Sequence, residues 1–290
     1  TWKRLLKMGR SPGEGHFLLG ETLAEHDRDA EAEAELAQAL ALEPENGRFA
    51  RALAAHYEKQ GKDALALEAW TRIGDRAAEA RATPETREAR EHIIQLWERG
   101  RRLDEAIGGL QKRFGATPPD LDAGRFLAVA LLRLGRFADA RAVLERMDQL
   151  APDDLETLIG LEQVYTRSSE PKLAIVVLER LAKASPRAAV EYLTRAAELS
   201  LDLGDGAGAL KAARQVVELA PADASAHARV GELYQRMGYR SEAAESWRQA
   251  LTLDPRNFQV RFKLASLYRD MGNPGREEQV LAEIVREGTD

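Results

Sequence analysis

The stretch that decides the fold is ASAHARVGELYQRMGYRSEAAESWRQALTLDP, residues 224–255. Counted from Ala224 as position 1, it places small, aromatic and turn residues at fixed intervals. The marked positions are 8, 11, 15, 20, 24, 27 and 32, held by Gly231, Tyr234, Gly238, Ala243, Trp247, Ala250 and Pro255. A glycine between two apolar-patterned segments, followed by a proline, predicts two helices joined by a tight turn.

The same pattern recurs along the whole chain. Units begin at Gly13, Gly47, Arg87, Leu121, Leu155, Val190, Ala224 and Phe258, with spacings of 34, 40, 34, 34, 35, 34 and 34 residues. Position 20 is alanine in the first seven units: Ala32, Ala66, Ala106, Ala140, Ala174, Ala209 and Ala243. Position 32 is proline in six units: Pro44, Pro118, Pro152, Pro186, Pro221 and Pro255. A sustained period of this length indicates a repeat array.

These residues resemble the tetratricopeptide repeat, a 34-residue helix–turn–helix unit. The resemblance implies an all-α solenoid, wound as a right-handed superhelix, in which each helix pair buries its apolar side on its neighbours. Alanine at position 20 lets the two helices approach closely. Glycine at position 15 can adopt the left-handed conformation that ends the first helix, at Gly61, Gly135, Gly204, Gly238 and Gly272. In repeat five, Ser168–Pro171 offers capping residues and a proline suited to a first helical turn.

The register divides the chain into four parts. Residues 1–12 are predicted to be the second helix of a truncated repeat, because Trp2 falls at position 24. Residues 13–80 hold repeats one and two, 81–86 are an insertion, and 87–290 hold repeats three to eight. Thr83 followed by Pro84 predicts a helix start, which lengthens the first helix of repeat three. We expect residues 13–290 to form one continuous array that is a fragment of a longer protein.

Composition excludes several classes of protein. The 290 residues include no cysteine, which rules out disulfides, thiolate catalysis and cysteine-ligated zinc. The net charge of −6 argues against nonspecific nucleic-acid binding, which needs a basic surface. No apolar run is long enough to span a bilayer, so we expect no membrane insertion. Most of the basic residues are arginine, which suggests a bacterial origin and leaves cytoplasm and periplasm both open.

No constellation of residues points to catalysis, a cofactor or a metal. LGDGAGALK, residues 203–211, lacks the spacing of a phosphate-binding loop and coincides with the turn of repeat six. The five histidines are spread over four repeats and show no ligand spacing: His16, His26, His56, His92 and His227. We therefore expect neither enzymatic activity nor a cofactor.

The resemblance implies that the outward face of each first helix lines a concave groove for partner peptides. Position 6 is basic in repeats six to eight, and position 13 is basic in repeats two to five and seven. The predicted groove residues are Arg99, Arg125, Phe126, Val129, Arg133, Arg167, Arg195, Arg229, Arg236, Phe262 and Lys263. Arginine forms bidentate contacts with carboxylates, which favours an acidic or extended partner segment. The alternative is a solvated, arginine-rich face with no binding role.

The predicted function is a protein-interaction scaffold that binds a partner segment in its groove. The alternative is a recruiting arm of a larger bacterial machine for polysaccharide secretion, pilus assembly or motility, or of a protein-modifying glycosyltransferase. The apolar residues of the last helix predict edge-to-edge self-association through Val280, Leu281, Ile284 and Val285.

Overall fold

A computed structural model of the chain describes residues 2–7, 9–79 and 83–287. Within these ranges the chain forms sixteen α-helices and two short 3₁₀ helices, at Trp2–Lys7 and Pro186–Ala188, and no strand. The α-helices are α1 Pro12–Glu25, α2 Asp29–Leu42, α3 Gly47–Lys59, α4 Asp63–Glu79, α5 Thr83–Arg99, α6 Leu103–Phe114, α7 Leu121–Arg133, α8 Phe137–Leu150, α9 Leu155–Arg167, α10 Pro171–Ala184, α11 Ala189–Asp202, α12 Gly206–Leu219, α13 Ala224–Arg236, α14 Arg240–Leu253, α15 Phe258–Asp270 and α16 Pro274–Glu287. The predicted all-α class is confirmed.

The chain divides into two compact units, Thr1–Leu134 and Gly135–Asp290. The first unit contains α1–α7, and the second contains α8–α16. In both units the odd-numbered helices are the first helices of repeats and the even-numbered helices are the second. None of the helices in the described part of the chain is both long and apolar enough to cross a membrane.

Every repeat turns at position 15 through the left-handed conformation. The five glycines predicted to do so have φ between 67° and 81°. The other three repeats place Asp27, Arg101 and Ser169 there, with φ of 57°, 55° and 57°. Since a side chain is disfavoured in this region, the turn geometry is imposed by the packing of the two helices and not only by glycine.

Proline and polar caps set the boundary between repeats. The second helices α2, α8, α10, α12 and α14 each end two residues before the proline of position 32. Two residues after that proline, an Asp or Asn caps the next first helix in five cases. The capping residues are Asn46, Asp120, Asp154, Asp223 and Asn257.

The alanines of position 20 are almost all fully buried. Six of the seven are at most 1% exposed, and Ala106 of repeat three is half-buried. In repeat seven, a Cβ added to Gly231 would lie 2.4 Å from the ring of Trp247. In repeat one, a Cβ at Gly20 would lie 2.8 Å from Leu36. A small residue at position 8 is therefore needed wherever the side chain of position 24 crosses so closely.

Both ends of the described chain differ in detail from the expectation. Residues 2–7 form a 3₁₀ helix, and Leu5 and Leu6 pack on the core of α1 and α2. At the other end, Val280 is buried in a core with α15, and Leu281 packs against that core. The predicted self-association surface therefore cannot use Val280, because helix pairing already covers it. The side chains of Ile284 and Val285 lie outside the described residues.

Candidate partner-binding face

The outward side chains of first helices α9, α11, α13 and α15 form what we call the second-unit face. Three ion pairs join neighbouring helices across it, because a period near 34 residues places equivalent positions of successive repeats side by side. The pairs are Arg195 with Glu162 (Nη2 to Oε1, 2.5 Å), Arg236 with Asp202 (Nη2 to Oδ1, 2.7 Å), and Lys263 with Glu232. The face is therefore continuous from α9 to α15.

These pairs change the electrostatics expected of the basic ladder. Arg195, Arg236 and Lys263 each contact a carboxylate of the preceding repeat, so their charges are locally balanced. Ion pairs with exposed members contribute about 0–1 kcal/mol each to stability. Their main effect is to balance the charges of these side chains, which reduces the attraction for an acidic partner.

Two predicted cations of this face have no such partner. Arg167 and Arg229 are exposed, and neither makes an ion pair within 4 Å among the described residues. Hydrogen bonds from Ser225, and to a lesser extent the charge of Arg229, lower the pKa of Asp223. Arg229 thus faces solvent near the start of α13 and is available to a carboxylate.

The face also carries an exposed aromatic side chain. Phe262, at position 5 of α15, is 57% exposed, and Phe258 at the start of the same helix is 41% exposed. Phe262 directly precedes Lys263, whose ammonium group is held by Glu232. An exposed ring beside paired charges is the pattern of an apolar anchor with a polar rim.

The predicted residues of the first unit lie on α5 and α7. Arg99 contacts Glu58 (Nη2 to Oε2, 2.8 Å), Arg133 contacts Glu98 (Nε to Oε1, 3.3 Å), and Arg125 contacts Asp122 (Nη1 to Oδ1, 3.2 Å). Here too the basic residues are balanced by carboxylates. Val129 and Phe126 are half-buried between them.

Phe126 belongs to a cavity that the sequence did not predict. Its ring stacks on Trp97 with centroids 5.0 Å apart. Next to this pair, residues of helices α4, α5, α6 and α7 line a partly open space of about 280 Å³, which we call the repeat-three cavity. Ile93 and Leu110 form an apolar part of its wall. The buried side chain of Arg90, which also lines it, contacts Asp122 (Nη2 to Oδ1, 3.1 Å).

Sequence reasoning missed the acidic partners and the cavity for different reasons. Glu162, Asp202 and Glu232 lie 31–34 residues before their basic partners. A search for acidic residues about one repeat before each basic residue would therefore find them. The cavity has two sequence signals. Ile94 occupies position 8, where most repeats have glycine or alanine, and Gly109 stands in the interior of α6.

Metal-type ligands do not gather in the described part of the chain. No group of three or more His, Asp or Glu side chains there is placed to hold an ion. His56 contacts the backbone oxygen of Asp29 through Nε2 at 3.1 Å, and His227 contacts that of Pro221 at 3.0 Å. These two imidazoles therefore have structural hydrogen bonds between elements.

Comparison with known proteins identifies two of the repeats. Sequence models of the tetratricopeptide repeat match residues 121–164 and 224–257. No curated protein matches the chain.

Solved structures with similar helical arrangements include those of two other proteins. One is YrrB, described as a TPR protein with an unusual peptide-binding site, at 18% identity and a TM-score of 0.46, covering 62% of this chain and 93% of that one. Another is MamA from Desulfovibrio magneticus RS-1, at 20% identity and a TM-score of 0.44, covering 57% of this chain and 93% of that one. Tetratricopeptide repeats are therefore present at residues 121–164 and 224–257, and the helix pairs on both sides of them continue the same register.

Proposed function

We propose that the protein is an interaction scaffold that binds a partner segment on the second-unit face. The observation that carries the proposal is Phe262, a 57% exposed ring on a face whose neighbouring charges are paired between repeats. The family supports this class of function, because tetratricopeptide arrays present continuous surfaces to other proteins.

The contacts of the face refine the expected partner. Arg195, Arg236 and Lys263 are balanced by carboxylates, which leaves Arg229 and Arg167 as the cations that attract the partner. A segment with one apolar side chain for Phe262 and a carboxylate for Arg229 matches this arrangement. A uniformly acidic segment would gain little from the three ion pairs, because their charges already balance each other.

The test uses a double substitution on the face and a matched one away from it. Arg229→Glu with Phe262→Ser removes the cation and the exposed ring. The control is Arg214→Glu with Leu219→Ser on second helix α12, where Arg214 is exposed and Leu219 is 58% exposed. Both doubles make the same change in charge and remove one exposed apolar side chain.

Proteins retained by the chain from a lysate of its source organism are identified, and the tightest is titrated against each variant. We expect the face variant to bind at least about tenfold more weakly, because one buried ring contributes about 1.5–3 kcal/mol. The control should bind like the unmodified chain. Equal affinities of the two doubles would contradict binding on this face.

A further inference from the structure

We propose that the repeat-three cavity binds one uncharged aromatic side chain of a partner protein. The proposal depends on the proposed scaffold function only for the source of the ring. The cavity lies wholly within the first unit, between α4, α5, α6 and α7. It is therefore separate from the second-unit face.

The cavity is a consequence of the sequence of repeat three. Ile94 at position 8 is fully buried, whereas repeats one and seven have glycine there with a position-24 side chain within 3 Å of where a Cβ would be. A branched side chain cannot fit such an approach. In the first unit, α5 and α6 accordingly contact each other far less than α1 and α2 or α3 and α4 do. Ala106 is left half-buried on the cavity wall.

The size of the cavity favours a single side chain. Its volume is about 280 Å³, just below the range of about 300–1,000 Å³ that is usual for drug-sized ligands. Phe126, a half-buried residue at position 6 of α7, lines the cavity, and position 6 is among the positions that the family resemblance assigns to the partner groove. A ring carried by a partner segment lying along α7 can therefore reach it.

The lining favours an aromatic ring without charge. Ile93, Leu110 and Ala123 are apolar and buried, and the Trp97–Phe126 pair adds aromatic surface. Offset or edge-on contacts with such a pair contribute about 0.5–1.5 kcal/mol beyond area burial.

The charges of the lining balance each other. The guanidinium groups are Arg90 and Arg113, and the carboxylates are Asp75 and Asp122. Arg90 contacts Asp122, and Arg113 contacts Asp120 outside the lining (Nη2 to Oδ2, 2.7 Å). An ion of either sign would gain no net attraction here. The hydroxyl group of Thr71 donates its proton to the backbone oxygen of Leu67 at 2.8 Å, so its oxygen can accept a hydrogen bond from a neutral donor such as a phenol.

The chain offers a matched pair of substitutions to test the pocket. A Cβ at Gly109 would meet no atom within 4 Å, and Gly109 lines the cavity. Gly108 has equally free space at its Cβ and does not line the cavity. Gly109→Leu fills the cavity, and Gly108→Leu makes the same change one residue away. Both replace a helix-interior glycine, so both variants are expected to fold.

The probe is N-acetyl-tyrosine amide, added to the full chain while the indole N–H signals of its four tryptophans are followed by NMR. A Trp97→Phe variant assigns the Trp97 signal. We expect the probe to shift that signal in the unmodified chain and in Gly108→Leu, and to bind at least tenfold more weakly to Gly109→Leu. If Gly109→Leu is poorly folded, Ala106→Leu fills the same space from the neighbouring turn.

Three results would overturn the proposal: no shift of the Trp97 signal, equal affinities of the two leucine variants, or equally tight binding of N-acetyl-leucine amide. A pentapeptide with tyrosine between glycines should bind at least as well as the amide, and weaker binding would assign the pocket to a free molecule. These readouts need no partner. If the scaffold proposal is wrong, the Arg229→Glu, Phe262→Ser variant and the Arg214→Glu, Leu219→Ser variant should bind the partner equally well.

Discussion

Repeats three and seven have the same register, but their two helices are closely packed in repeat seven and separated by a cavity in repeat three. In repeat seven, Trp247 crosses Gly231 so closely that a Cβ there would lie 2.4 Å from its ring, and Ala243 is fully buried. In repeat three, position 8 is Ile94, position 24 is Leu110, and Ala106 borders a cavity. Repeat three thus has a larger residue at position 8 and a smaller one at position 24 than repeat seven has.

The difference shows how a repeat array can gain a pocket without losing its architecture. The helices of repeat three find other neighbours, because α5 packs on α4 and α6 packs on α7. The two helices of repeat three therefore pack mainly on the helices of neighbouring repeats and less on each other. Four sets of substitutions test this difference through stability, from the largest expected effect to the smallest.

Truncating position 24 should cost far more in repeat seven than in repeat three. Trp247 is fully buried, so Trp247→Ala should lower the free energy of unfolding by about 3–5 kcal/mol. Leu110 already borders a void, so Leu110→Ala should cost about 2 kcal/mol, at the lower end for a buried leucine. Urea unfolding followed by circular dichroism measures both. Equal costs would mean that the cavity is filled in solution.

Adding one methyl group should lower the free energy of unfolding in repeat seven and raise it in repeat three. Gly231→Ala forces the Trp247 ring to move and should destabilise the protein by about 1–3 kcal/mol. Gly109→Ala adds helix propensity in free space and should stabilise it by about 1 kcal/mol. Thermal unfolding of the two variants shows whether each one is more or less stable than the unmodified chain. A stabilised Gly231→Ala would contradict the close crossing in repeat seven.

Exchanging the residues of the turns should shift stability in opposite directions. Arg101 has φ of 55° and Gly238 has φ of 81° at the same position of the repeat. Arg101→Gly should stabilise the chain by about 1 kcal/mol, and Gly238→Arg should destabilise it by about the same amount. Differential scanning calorimetry resolves such shifts. If neither substitution has an effect, the left-handed turn is not maintained in solution.

The cap of repeat seven should contribute stability that depends on pH. Asp223 accepts hydrogen bonds from the backbone N–H groups of Ser225 and Ala226 at 2.8 and 3.3 Å, and its pKa lies below the ordinary 3.8. A lowered folded-state pKa stabilises the protein above the unfolded value and loses this contribution as pH falls through the folded value. Asp223→Ala should therefore cost about 1 kcal/mol at pH 7 and less at pH 3.

Asp223→Asn is the matched control for this cap, because its amide oxygen accepts the same hydrogen bonds and does not titrate in this range. Urea unfolding at the two pH values gives the free energies. A cost of Asp223→Ala that is the same at pH 7 and pH 3 would show that the charge of Asp223 has no part in the cap.

Much of the fold follows from the sequence because each feature has a local cause. The 34-residue register, the glycine turns and the prolines after second helices are each encoded within a few residues, and the helix start at Thr83 is confirmed. The left-handed turns at Asp27, Arg101 and Ser169 were harder to predict, because tertiary packing overrides their local preference.

The candidate site was less predictable because it depends on pairs of residues. The basic ladder was visible in the sequence, but the carboxylates that balance Arg195 and Lys263 come from neighbouring repeats. The cavity depends on the combined volumes of the residues that line it, among them Ala106, Gly109 and Leu110, and no single position reveals it. The groove residues predicted from sequence therefore remain a proposal that partner binding must test.

Hydrogen exchange of the full chain with and without its captured partner tests the proposed scaffold function most directly. If the second-unit face binds the partner, exchange slows in first helices α13 and α15, around Arg229 and Phe262, and is unchanged in second helices α12 and α14. We also expect the Arg229→Glu, Phe262→Ser double variant to abolish this protection. Slower exchange confined to the second helices would contradict binding on this face.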